Sequence, residues 1–356
     1  MSHFAVLVIG NDPVAQLAPY HEFECTGEDD QYVQDIDKTD EARKEFAEHT
    51  EIRLKLPDDT LTDFFNEAGK WKPEYSMIDP GNPEWDKERR TYFVPDGCEK
   101  VEVAAPLVMS FGEYLERWHG WKVVPFGEEP NILSDSEHKY GYYTVDENGN
   151  VLKCVDRTNP NAKWDWHSLG GRYRGFLKLK EGRVGELGSG NGLFNEDASK
   201  GTADIATKGD IDFDGMRDAA GTEAAESWDK AFAVHGGAKW SSWEEVRDKM
   251  GLAIEDARKH YHGQAMVKGL RRAMGHPFRG IDEYLIPRDQ YIKQARDSAI
   301  VTFAVVKDGK WYERGEMGWW GCVANEKVRS DWIKEFNSLM DGLPDDTLIT
   351  VVDCHI

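Results

Sequence analysis

The stretch NAKWDWHSLGGRYRG, residues 161–175, gathers two tryptophans, a histidine, adjacent glycines and two arginines. Indole faces stack on bases, and guanidinium forks bind phosphate bidentately. Adjacent glycines let a ligand approach the backbone, whose exposed N–H groups suit an anion. In an extended segment Trp164 and Trp166 share one face, and Asp165 and His167 the other. Past the break at Gly170 and Gly171, Arg172 and Arg174 share a face, with Tyr173 and Leu177 opposite. Trp164, Trp166, His167, Gly170, Gly171, Arg172 and Arg174 therefore predict a surface for a nucleotide-like or other anionic small molecule. The competing reading makes the tryptophans core and has the arginines cover them or pair with Asp165. A second aromatic–glycine run, RGEMGWWGCV (314–323), offers Trp319 and Trp320 as further walls. As neighbours in a strand these two face opposite ways, so at least one is closed to any given pocket.

The histidines suggest a second chemistry. His3 opens the first apolar run and His355 closes the last, with Asp353 on the same side of that strand. If the two strands are neighbours, His3, Asp353 and His355 converge as a metal or acid–base site. That makes a metal-dependent hydrolase an alternative function. GDIDFDG (209–215) has the opening spacing of an EF-hand loop, but its twelfth position is Gly221 where the bidentate Glu belongs, so a polar-edged strand is expected there instead. His260 and His262 lie in a helical pattern, where their imidazoles diverge by ~200° and cannot chelate together. GxxxxGK[ST] and GxSxG are absent, GSGNG (188–192) lacks the lysine of a phosphate loop, and no cysteine is placed as an evident nucleophile. The sequence thus leaves the catalytic residues and any cofactor unassigned.

These residues must be positioned by the elements around them. FAVLVI (4–9) and LITVVDCHI (348–356) are apolar, β-branched runs suited to buried strands. Their likeness predicts that the chain ends pair, or lie close together, in one sheet. Hairpins are expected at Asn148-Gly149 and Asp308-Gly309. SFGEYLERWHG (110–120) carries a capping box and a terminal glycine. Helical spacing runs through TEAAESWDKAFAVH, SSWEEVRDKMGLAIEDARKHYH, PRDQYIKQARDSA and RSDWIKEFNSLMDG, the last with Trp332, Phe336 and Leu339 on one face. LPDDTL occurs twice (56–61 and 343–348) with unrelated flanks, which reads as recurrent turn chemistry, the first copy also able to cap a helix. Residues 72–100 read as loop. The expected class is α+β: a mixed or antiparallel sheet containing both terminal strands, with hairpins and a helical block inserted before the last strands. The expected organisation is a single unit, 1–356, with a helical subdomain over 222–299.

The net charge of −22, from 66 acidic against 44 basic residues, disfavours a general nucleic-acid binder. It suits solubility, or an acidic face that docks a basic host protein as an inhibitor. The five cysteines, Cys25, Cys98, Cys154, Cys322 and Cys354, are widely spaced and fit reduced thiols in a cytosolic protein. No apolar stretch approaches the ~20 residues of a membrane span, and MSHFAVLVIG reads as a strand and not a leader.

MSHFAVLVIG with QLAPY, ERWHGW, NPNAKWDWHSLGGRY, KGDIDFDGM, ERGEMGWWG and LPDDTLITVVDCHI, in this order, resembles an uncharacterised accessory (non-virion) protein family of tailed bacteriophages and prophages. The resemblance spans nearly the whole chain and transfers no catalytic residues. It implies a viral protein working in the host cytoplasm. Its expected role is anti-defence: binding a host defence protein, or sequestering or cleaving a nucleotide signal.

Overall fold

The computed structural model describes residues 2–22, 30–63, 94, 96–133, 137–189, 201–275 and 281–356. Six strands build one mixed sheet: β1 (His3–Ile9), β2 (Trp166–Leu169), β3 (Ile205–Thr207), β4 (Ala304–Lys307), β5 (Lys310–Glu313) and β6 (Leu348–His355). The expected pairing of the chain ends is present. β1 and β6 run antiparallel over their full length, from His3 opposite His355 to Ile9 opposite Ile349. On its other side β1 pairs with β4 in parallel, and β4 turns into β5 through Asp308 and Gly309, both at positive φ as a two-residue hairpin requires. The outer edge of β6 is shared lengthwise: β3 covers Leu348–Thr350 and β2 covers Val352–His355. At the junction, Val351 accepts from the Gly170 N–H and donates to the Asp204 carbonyl.

Both faces of this sheet are dry, which is why its central strands are nearly continuous apolar runs. Leu7, Ile9, Ile349 and Val351 pack on one face with Leu177, Ile211, Trp332 and Phe336. Phe4, Val6, Val8, Val352 and Cys354 pack on the other with Leu17 and Trp164.

The longer helices that follow the glycine turn are α1 (Phe213–His235), α2 (Ile254–Gly263), α3 (Ala265–Met274), α4 (Arg288–Ser298) and α5 (Arg329–Asp341). α5 buries Trp332, Phe336 and Met340, a repeat of four residues, while Leu339 is only partly covered. The Trp332 indole N–H is satisfied by the Thr302 carbonyl at 2.9 Å. α1 starts nine residues before the predicted Thr222, because Asp212 caps it through the Gly215 N–H at 2.9 Å. The GDIDFDG segment is therefore a turn and a helix cap, not the strand expected. The predicted helix over 241–262 is broken at Gly251, with α2 beginning only at Ile254. Trp240, Val246, Tyr261, Leu270 and Tyr284 give the helical block a core of its own. Within it, Asp282 accepts from the Trp240 indole N–H, the Tyr261 hydroxyl and the Trp243 backbone N–H.

The chain divides into two compact units, Met1–His21 with Lys163–Ile356, and Glu22–Ala162. The single unit expected from paired ends is corrected on this point. Closing the ends on each other leaves the intervening chain free to form its own core, here around Tyr114, Leu115, Trp121, Tyr143 and Cys154. This second unit holds the predicted capping box at Ser110 and Glu113. It also holds the hairpin Gly141–Val145 to Val151–Thr158. Its first LPDDTL copy is a turn between strands, with Asp58 accepting from the Thr60 N–H and Leu61–Asp63 following as a strand. Most of the predicted 72–100 loop, Cys25 and Gly190–Gly192 lie outside the described residues. No described helix is long and apolar enough to cross a membrane.

Phe336 is fully buried on the sheet. Phe336→Ala should lower unfolding stability by about 3–5 kcal/mol, read as a lower urea midpoint, while Val328→Ala at an exposed site should change it by less than about 0.5 kcal/mol. Equal midpoints for the two variants would refute this packing.

Candidate functional site

The register of β1 and β6 creates the most unusual cluster in the first unit. Ser2 and Ile356 exchange both backbone hydrogen bonds, at 2.8 and 3.0 Å. His3 and His355 are therefore the adjoining non-hydrogen-bonded pair, where cross-strand side chains approach most closely. Their ring centroids lie 4.8 Å apart, edge to face. Asp353, on the same face, holds His3 Nδ1 at 3.0 Å through Oδ1. Asp165, at the entry to β2, holds His355 Nδ1 at 2.7 and 2.9 Å through both oxygens. A carboxylate only accepts, so each Nδ1 carries the hydrogen and donates, leaving each Nε2 as the reactive nitrogen. Neither Nε2 has a hydrogen-bond partner among the described residues, and both side chains are largely buried, His3 9% and His355 4% exposed. Trp166 stacks on His355 with centroids 5.0 Å apart and meets His3 edge-on at 5.2 Å. Its indole is 45% exposed and forms the outer surface of the cluster.

The glycine pair is built around two buried carboxylates. Gly170 and Gly171 adopt positive φ of 73° and 52°. A Cβ on Gly170 would lie 2.3 Å from Asp204 Oδ2, and one on Gly171 would lie 2.4 Å from both Asp353 Cβ and Ser168 Oγ. Only glycine fits either position. Asp353 Oδ2 accepts the Arg172 N–H at 2.9 Å. Asp204 accepts the N–H groups of Gly175 at 2.6 Å and Gly188 at 2.7 Å. Burial pushes the Asp204 carboxyl up, against the pull of those N–H groups and of Arg174. Tyr173 ties the same turn to the sheet by donating to the His3 carbonyl at 3.4 Å. Its hydroxyl is pushed up to about 12 by burial and by the charge of Asp353.

This geometry revises the surface expected from the sequence. Trp164 does not share a face with Trp166: β2 starts only at Trp166, and the bend at Asp165 sends Trp164 into the opposite core. There it is 5% exposed, stacked on His21, with its N–H directed to the Leu17 carbonyl. Asp165 falls on the Trp166 side and pairs with His355, not with an arginine. His167 packs edge-on against Trp164, on the face away from the histidine pair. Burial, and then His21, hold His167 below its ordinary 6.5.

The glycine-turn N–H groups are not open to an anion. Gly170 donates to Val351, Gly171 to Ser189, and Arg172 to Asp353. Arg172 and Arg174 do not lie along a strand, because Gly171–Tyr173 is a 3₁₀ turn. Arg172 is exposed and has no ion-pair partner among the described residues. Arg174 is half-buried, its Nε without a hydrogen-bond partner. Trp319 and Trp320 lie in a turn and not in a strand; Trp320 takes φ 63° and is 82% exposed. The Trp319 side chain lies outside what is described. Ser2 holds this turn beside His3, donating to the Gly318 carbonyl and accepting from the Gly321 N–H.

The expected convergence of His3, Asp353 and His355 is present, but the metal reading is corrected. Among the described residues no three His, Cys, Asp or Glu side chains are arranged to hold a metal ion. Asp353 already binds His3 and the Arg172 N–H, so it orients an imidazole and does not stand beside it as a ligand. Asp165 and Asp204 were not predicted as site residues. Asp165 could have been found from its place between the predicted Trp164 and Trp166; Asp204 carries no local signal. Elsewhere in this unit, a groove of about 690 Å³ lies between α4 and α5, lined by Lys293, Asp297, Arg329, Ile333 and Lys334. It has no aromatic wall, and Lys293 and Lys334 are paired with Asp297 and Asp331, so the histidine cluster is the stronger site.

Comparison with known protein families, with curated proteins and with solved structures finds no match to this chain.

Asp204→Ala should orphan the Gly175 and Gly188 N–H groups, at about 1–3 kcal/mol each. Amide hydrogen exchange at both glycines should quicken at least about tenfold. Unchanged protection would show that Asp204 does not hold the turn.

Proposed function

We propose that the first unit binds a nucleotide-like, phosphorylated small molecule over Trp166, as an accessory protein of a bacteriophage acting on a host signal. The observation that carries this reading is an exposed Trp166 stacked on His355, at the rim where Asp353 also holds the backbone of the exposed Arg172, which has no ion-pair partner among the described residues. Trp166 is stacked from behind by His355 and so is held rigid, which favours stacking of a base on its outer face. Arg172 follows the glycine turn fixed to the same Asp353 that orients His3. A fixed backbone beneath a free guanidinium suits a phosphate in a chain whose overall charge of −22 otherwise repels anions. The resemblance to phage accessory proteins supports sequestration or cleavage of a host nucleotide signal as the purpose.

Calorimetric titration of the full chain with nucleoside monophosphates, cyclic dinucleotides and ADP-ribose tests this. Arg172→Ala and Trp166→Ala should each weaken binding by roughly 10- to 100-fold, as loss of a charged hydrogen bond or a stacked base does. No heat from wild type across that panel, or variants that bind as well as wild type, would refute the site.

A further inference from the structure

We propose that His3 and His355 act as a general acid–base pair that hydrolyses a phosphodiester bond in the ligand held over Trp166; the inference rests on the binding surface proposed above. Two imidazoles 4.8 Å apart, each clamped at Nδ1 by a different carboxylate and each with an Nε2 that no described residue engages, meet the geometric needs of paired proton transfer. Single buried histidines satisfied by one carboxylate are ordinary core features. Two side by side, each in ring contact with a partly exposed tryptophan, are a less ordinary arrangement. Asp353 is 1% exposed and takes its place in the core only because His3 and the Arg172 N–H satisfy it.

The charges select the substrate. Asp353 on β6 and Asp165 at the start of β2 bind the pair, and the glycine turn tied to Asp353 carries Tyr173 and Arg172. Arg172 is the one unpaired cation of this set, against two carboxylates. That balance suits the single negative charge of a phosphodiester better than the two or more of a terminal phosphate. In the reaction, the neutral Nε2 of one imidazole takes a proton from water as the water oxygen bonds to phosphorus. The bond from phosphorus to the departing oxygen breaks, and that oxygen takes the proton from Nε2 of the other, protonated imidazole. The products are a phosphomonoester and an alcohol. The imidazoles exchange protonation states and are reset by proton exchange with solvent. Asp353 and Asp165 are positioning residues, holding the Nδ1–H tautomers.

The test uses the full chain in EDTA with two substrates: thymidylyl-thymidine, whose leaving alkoxide needs a proton, and thymidine 5′-(p-nitrophenyl phosphate), whose leaving group does not. Wild type should cleave both, with a bell-shaped kcat/KM profile on the first. His3→Gln and His355→Gln should each lose about 10²- to 10⁴-fold on thymidylyl-thymidine. The variant lacking the acid should recover at least tenfold relative activity on the p-nitrophenyl ester, and the variant lacking the base should not. Asp165→Asn, a half-exposed site that spares the core, should lower kcat on thymidylyl-thymidine with KM unchanged, because the amide no longer enforces the Nδ1–H tautomer of His355. Calorimetry with thymidylyl-thymidine separates the two readings. Binding by wild type without turnover overturns the hydrolysis alone, and absence of binding overturns the ligand surface as well. Turnover that needs an added divalent metal, or equal losses on both substrates for both histidine variants, also overturns the acid–base pair.

Discussion

The antiparallel pairing of the first strand with the last is the constraint from which the rest of this site descends. It closes the chain on itself and fixes a register in which His3 faces His355. A slip of one residue would turn Leu7, Ile9, Ile349 and Val351 out of one core and force Phe4 and Cys354 into it, so both dry faces of the sheet hold the register in place. Ionisable side chains survive at this end because the strands run out there. The sheet's apolar alternation gives way to a rim where carboxylates and imidazoles satisfy each other.

The rim is organised by carboxylates. Asp353 and Asp204 are buried and each accepts backbone N–H groups of the Gly170–Gly175 turn. Without them that turn would carry unsatisfied donors into the core; without the turn the carboxylates would be buried charges lacking partners, at a cost of several kcal/mol each. Each stabilises the other, and glycine is required where the two approach within a Cβ of contact. The same interlocking fixes the tautomers of His3 and His355 and hence which nitrogen faces outward. Chemistry at this rim is thus a consequence of how the sheet ends, not of a loop added to it.

Much of the scaffold was legible in the sequence. Asp308-Gly309 predicted its hairpin and Ser110 with Glu113 its capping box, because each depends on neighbours a few residues away, and the two terminal runs predicted their pairing through their shared apolar, β-branched character. The site was legible in part. His3, Asp353 and His355 were predicted to meet, since sharing a strand face follows from alternation alone. Trp164 and the glycine N–H groups were misassigned because their fates depend on long-range partners. The bend at Asp165 answers to His355, and the N–H groups of the turn answer to Val351, Ser189 and Asp353, all of them outside NAKWDWHSLGGRYRG. Asp204 stayed hidden for the same reason: a lone aspartate in TADIATK looks like surface until β3 carries it against the turn. The division into two units was missed because chain ends that meet say nothing about whether the intervening chain shares their core.

The central claim is that two carboxylates hold two adjacent imidazoles with their Nδ1 hydrogens inward and their Nε2 atoms outward. Long-range ¹H–¹⁵N correlation of the histidine rings in the intact chain measures this directly. The account predicts that His3 and His355 are both Nδ1–H tautomers when neutral, joined by ring-to-ring nuclear Overhauser contacts. Nε2–H tautomers at either residue, or rings without a mutual contact, would contradict it.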